Sequence, residues 1–109
     1  MKNQNLPFQI GEHYENWEFD LEVLDVERIK GYDNYLYLKE VNLYGFTSNY
    51  TELIFLFDIL EQVILKLNFE TQEQLNHFIN NLSITKIKWK ILELNLTITY
   101  GNMGDMIII

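Results

Sequence analysis

From Trp17 onward apolar and acidic positions alternate, with Trp17, Phe19, Leu21 and Val23 interleaved with Glu18, Asp20 and Glu22. Successive residues of a strand point to opposite sides of the pleat. The pattern therefore predicts a strand with one buried face and a row of carboxylates about 7 Å apart on the other. It slips at the adjacent pair Val23 and Leu24, after which Leu24 and Val26 alternate with Asp25 and Glu27, as at a β-bulge or a break between two short strands. A helix competes for the same segment, because Trp17, Leu21, Leu24 and Arg28 fit i, i+4, i+7 spacing, but it would leave Phe19, Val23 and Val26 on a second face. Lys30 to Asn34 supplies turn chemistry, and Tyr35 to Leu38 is rich in strand formers, which completes a hairpin.

Gly45 to Tyr50 reads as a polar turn, followed by the continuous apolar run Leu53 to Phe57, whose length suits a strand buried on both faces. Asp58 opens a connection into Gln62 to Leu67, with Val63, Leu65 and Leu67 on one side and Ile64 and Lys66 on the other, giving a second hairpin. Thr71-Gln72-Glu73-Gln74 is a capping box, in which Thr71 accepts from the Gln74 amide and Gln74 reaches back to the Thr71 amide. Leu75, Phe78, Ile79 and Leu82 then share one helical face, so an amphipathic helix is predicted from about Thr71 to Leu82, stopped by Asn80 and Asn81. Beyond it, Ile87, Trp89 and Ile91 alternate with Lys86, Lys88 and Lys90, and Leu94, Leu96, Ile98 and Tyr100 with Asn95, Thr97 and Thr99, both as half-buried strands. Gly101 to Asp105 is a turn into Met106 to Ile109, a possible last strand. The expected architecture is α+β: a single domain over residues 1–109, with a mainly antiparallel sheet of five to seven strands and one amphipathic helix packed on one face.

Composition narrows the chemistry. The 109 residues are 48% hydrophobic and include seven Phe, seven Tyr and two Trp, enough for a core without staples. With no cysteine there is no disulfide, thiolate metal site or cysteine nucleophile, as suits a reducing cytosol. The N-terminal stretch Met1 to Pro7 lacks the apolar core of a secretory signal, and the most hydrophobic window, Leu53 to Leu67, is broken by Asp58, Glu61, Gln62 and Lys66. The protein is accordingly expected in the cytoplasm and off the membrane. A net charge of −8 repels nucleic acid and favours a cationic protein partner.

Between Glu12 and Glu27 stand seven acidic residues and no lysine or arginine. A row of like charges repels itself, and the partner surface is placed at Glu15, Glu18, Asp20, Glu22, Asp25, Glu27, Tyr32, Asp33, Tyr35 and Tyr37, the tyrosines serving as anchors of the kind enriched at interface centres. The acids lack the loop and glycine of a calcium site. His13 and His77 are too far apart in sequence to suggest a metal pair, and Ser48 and Ser83 lack a nucleophile-elbow context, so no metal, cofactor or catalytic residue is expected and the chain is read as a non-enzyme. One sequence feature competes with the partner reading: Lys86, Lys88 and Lys90 would neutralise the acids if they lay on an adjacent strand. Otherwise they would guard an edge strand.

A small, cysteine-free, acidic, aromatic-rich chain carrying Gly11-Glu12-His13-Tyr14-Glu15-Asn16-Trp17-Glu18-Phe19-Asp20 resembles the immunity proteins of bacterial polymorphic-toxin and contact-dependent growth inhibition systems. The resemblance is one of size, charge and type. It implies a protein that neutralises a cognate toxin domain, often a nuclease with a basic active site, by covering or distorting it. The alternatives are a nucleic-acid-mimicking inhibitor of a defence protein, whose carboxylates imitate phosphates, and a small regulatory protein-interaction module.

Overall fold

The computed structural model describes residues 8–25, 30–82 and 87–103. Seven strands form one antiparallel sheet: β1 (Leu21–Val23), β2 (Asp33–Tyr37), β3 (Val41–Leu43), β4 (Phe46–Leu56), β5 (Ile59–Asn68), β6 (Ile87–Leu92) and β7 (Asn95–Gly101). An isolated bridge between His13 and Ile59 adds an eighth strand-like pairing. The strands lie in the order β1-β2-β4-β5-β7-β6, and β3 follows β2 along the same side of β4. A single α-helix among the described residues, α1 (Gln72–Asn80), links β5 to β6. No helix among them is long and apolar enough to cross a membrane.

Tight turns set the registers. Tyr44 and Gly45, and again Phe57 and Asp58, hold positive φ angles of 52° and 86° and of 52° and 67°. That is the type I′ conformation, whose twist matches the strands it joins. The Gly45 to Tyr50 stretch, read from sequence as a turn, is therefore mostly β4: only Gly45 turns, and the chain is extended from Phe46. Likewise β5 begins at Ile59, three residues before the expected Gln62.

One face of the sheet carries Leu53, Phe55, Val63, Leu65, Leu67, Leu96 and Ile98, all buried. Two pieces cover it, each contributing aromatic rings. The N-terminal segment brings Phe8 against Trp17 and Tyr37, with ring centroids 5.5 and 5.0 Å apart, and Tyr14 against Phe55 at 5.8 Å. The helix brings Leu75 and Phe78, the latter among Tyr44, Phe46 and Phe69 at 5.4 to 5.7 Å. Edge-to-face arrangements at such distances add to the burial itself. Thr71 caps the helix by accepting from the Gln74 amide at 3.1 Å, as the capping box requires. The reciprocal bond is displaced by one residue, with Gln74 Oε1 accepting from the Glu70 amide at 3.0 Å. Asn81 ends the helix, its side chain donating to the His77 carbonyl at 2.7 Å.

The opposite face holds a smaller cluster of Ile54, Ile64 and Met103 with Tyr32 packed against it. Glu52 is buried beside them at 1% exposure and accepts hydrogen bonds from Tyr50 Oη at 2.8 Å and Asn34 Nδ2 at 3.2 Å. Such partners are what a buried carboxylate requires. Toward the far end the same face turns basic: Ile64 pairs with Thr99, which pairs with Lys88, while Lys66 pairs with Thr97, which pairs with Lys90.

Candidate functional site

The segment expected to be an acidic strand is not one. Residues 14–20 fold into two successive 3-10 turns, Tyr14–Asn16 and Glu18–Asp20, and β1 is confined to Leu21–Val23. The cause lies in the two fixed ends of the segment. The Tyr14 amide donates to the Asp58 carbonyl at 2.7 Å and the Leu38 amide to the Asp20 carbonyl at 2.8 Å, so the chain between must bend, and it does so with Trp17 packed on Phe8 and Phe55. The row of Glu18, Asp20 and Glu22 is thereby broken. Glu18 and Asp20 sit on a turn, Glu22 sits on β1, and the interleaved Phe19 and Val23 are 92% and 69% exposed rather than buried.

The acids nevertheless gather at one end of the sheet. Glu15, Glu18, Glu22, Asp25 and Asp33 are exposed, and β1 has β2 as its one strand neighbour among the described residues. Asp20 is half-buried with Lys39 Nζ 3.5 Å from its Oδ2, and Glu15 lies 3.8 Å from His13; exposed pairs of this sort contribute little. Glu18, Glu22, Asp25 and Asp33 have no ion pair among the described residues. Glu27 lies outside them, as do Lys86 and the stretch Met106 to Ile109. Neutralisation by Lys88 and Lys90 is ruled out by topology, since β6 closes the end of the sheet opposite β1.

The tyrosines expected to be surface anchors are mostly structural. Tyr35 packs between Tyr14 and Phe55 at 5.4 and 5.7 Å, Tyr37 meets Phe8, and Tyr32 backs the smaller cluster. Burial, followed by the proximity of Tyr14, Asp33 and Asp58, pushes the Tyr35 hydroxyl above its ordinary value of 10.0. Asp33 and Asp58 thus concentrate negative potential at this end of the molecule. Asp25, Tyr32, Asp33 and Tyr35, four of the expected site residues, do come together: with Val23, Leu24 and Asn34 they line a hollow of about 270 Å³. A hollow with two carboxylates, Asp25 and Asp33, in its lining can take a single lysine or arginine side chain, the acids accepting charge-assisted bonds.

Sequence reasoning missed Phe57. The apolar run predicts a strand buried on both faces through Phe57, yet Phe57 is 87% exposed at the tip of the β4–β5 hairpin, with a left-handed φ of 52°. A bulky residue in that conformation is strained. No Asn-Gly or Asp-Gly pair marks the turn, so the only available signal was the abrupt step from Phe57 to Asp58 at the end of the apolar run. Phe19, Val23, Leu38 and Phe57, four of the seven large apolar side chains exposed among the described residues, thus flank the acidic end. No group of three or more potential metal ligands occurs among the described residues. Compared with known proteins, the chain matches no family model, no curated protein and no solved structure.

Proposed function

We propose that this chain is an immunity-type inhibitor that binds and neutralises a cognate basic toxin domain in the cytoplasm, using the end of the sheet formed by β1, β2 and the β4–β5 hairpin tip. The observation that carries the reading is the acidic hollow of Asp25 and Asp33 beside exposed apolar side chains. Uncompensated carboxylates speed and orient the encounter with a cationic surface, while one deep contact and a ring of apolar contacts slow its dissociation. Phe19 and Phe57 take the anchoring role that the sequence pattern assigned to tyrosines. Binding at a basic cleft blocks access to it, so inhibition needs no catalytic group from this chain. Mimicry of a nucleic-acid backbone is disfavoured, because it needs evenly spaced carboxylates and the 3-10 turns interrupt the spacing.

Co-purification from the source organism, with mass spectrometry of what is retained, should recover a basic protein whose toxicity is suppressed by co-expression of this chain. Asp25→Lys with Asp33→Lys should slow association with that protein at least tenfold and flatten its salt dependence. The unfolding midpoint should move little, because surface substitutions usually change stability by less than about 0.5 kcal/mol. An unchanged on-rate and salt slope in a folded double variant would move the interface elsewhere.

A further inference from the structure

A second concavity, of about 450 Å³, lies over β4, β5, β7 and β6, from Tyr50 to the β6–β7 turn. Its lining includes Lys66, Lys90, Asn68, Asn95, Thr97 and Tyr50. The register explains the convergence: Tyr50, Lys66, Thr97 and Lys90 are successive cross-strand neighbours, so all four project from one face. The two lysines stand two strand spacings apart, about 10 Å between Cα atoms, within which their side chains can reach a shared ligand. Lys88 adds a third cation on that face, one strand repeat from Lys90. Lys66 Nζ is held 4.6 Å above the Tyr50 ring, an arrangement that orders the ammonium group while leaving its N–H donors available. The side chains of Asn68, Asn95 and Thr97 form no hydrogen bond within the described residues, so three neutral polar groups border the cations with donors to offer. The volume lies within the range of small-molecule sites.

We infer that this groove binds a small dianion, a phosphate or carboxylate compound, with Lys66 contacting the charged groups, Lys90 lining the far wall, and Asn68, Asn95 and Thr97 donating hydrogen bonds to the ligand oxygens. The site shares no lining residue with the acidic hollow of the proposed toxin surface. A chain of net charge −8 repels anions in general, so saturable binding of one has to come from local geometry. A volume of about 450 Å³ favours a small anion over an acidic polypeptide.

The full chain, labelled with 15N, can be titrated at constant ionic strength with inorganic pyrophosphate, with succinate and with a hexaglutamate peptide. Saturable shifts at the backbone of Lys66, Asn68, Asn95 and Thr97 and at the two Asn side-chain amides are expected with pyrophosphate or succinate, and the stronger of the two names the oxyanion. Lys66→Gln with Lys90→Gln should weaken that binding at least tenfold, about 1.4 kcal/mol. Asn68→Asp, a substitution at an exposed position, should do the same by adding a negative charge, so the test survives if the double variant fails to fold. The proposal is overturned if neither dianion saturates below about 10 mM, if hexaglutamate alone binds, or if folded variants bind as well as the parent.

Discussion

Tyr100 shows how one side chain ties distant parts of the chain together. It is buried in the core face, and its hydroxyl donates to the Phe8 carbonyl at 3.1 Å, fastening the N-terminal segment to β7. Burial pushes that hydroxyl well above its ordinary value of 10.0. Because the folded state holds the proton more tightly than the unfolded state, the stabilisation is complete below about pH 10 and is lost progressively as pH rises above it. Tyr35 adds a smaller contribution of the same sign. Tyr100→Phe should cost about 1 kcal/mol at pH 7 through the lost hydrogen bond, yet show a shallower loss of stability above pH 10. Urea unfolding at pH 7, 9.5 and 11 checks both parts. At this scale the sequence was informative wherever burial followed from strand or helix period, as at Leu65, Leu75 and Phe78. It was uninformative at Glu52, where a carboxylate beside an apolar run is enclosed because Tyr50 and Asn34, distant or unremarkable in sequence, supply its hydrogen bonds.

Among the elements, the helix, both early hairpins and the two C-terminal strands were legible, because each carries a period or cap that local chemistry enforces. Residues 14–20 were not. Alternation shows that a segment is able to form a strand, whereas its actual conformation here is decided by where Tyr14 and Asp20 are tied, and those ties run to the β4–β5 turn and to Leu38 just past β2. The candidate site is half legible for the same reason: the acidic run is plain in the sequence, while the 3-10 turns that display it and the exposure of Phe19 and Phe57 depend on distant ties. The β4–β5 turn offers a direct test of strain retained at this site. Replacing Phe57 with asparagine, a residue that tolerates the left-handed region, should stabilise the isolated protein by about 1 kcal/mol. The same change should accelerate dissociation of the proposed partner, a trade of stability against function that equilibrium unfolding and dissociation kinetics would register separately. A neutral or destabilising effect on folding would mean that the turn is held by contacts of the Phe57 ring.

As a whole, the molecule displays exposed Glu18, Glu22, Asp25 and Asp33 around β1 and β2 and exposed Lys88 and Lys90 on β6, in a body measuring 40 × 31 × 27 Å. In about 10 mM salt the Debye length is about 30 Å, so most of its charges interact across the entire structure. With a net charge of −8 the summed interaction is repulsive, and screening should relieve it. Raising NaCl from about 10 mM to about 500 mM should therefore increase the thermal midpoint by a few degrees, corresponding to roughly 1 kcal/mol. A midpoint that falls with salt would mean that attractive pairs dominate. The topology also orders events in time. Every pairing from β3 to β5 is made by neighbouring hairpins, and β6 meets β7 across another, but β5 and β7 meet only after the chain has travelled through the helix. Closing that loop expends entropy before any contact compensates for it, so the β5–β7 seam is the slow join, made between a preformed N-terminal meander and a C-terminal hairpin. During synthesis the meander emerges first, with the seam-forming edge of β5 unpaired until the last strands follow, and that interval is when the chain is most exposed to aggregation.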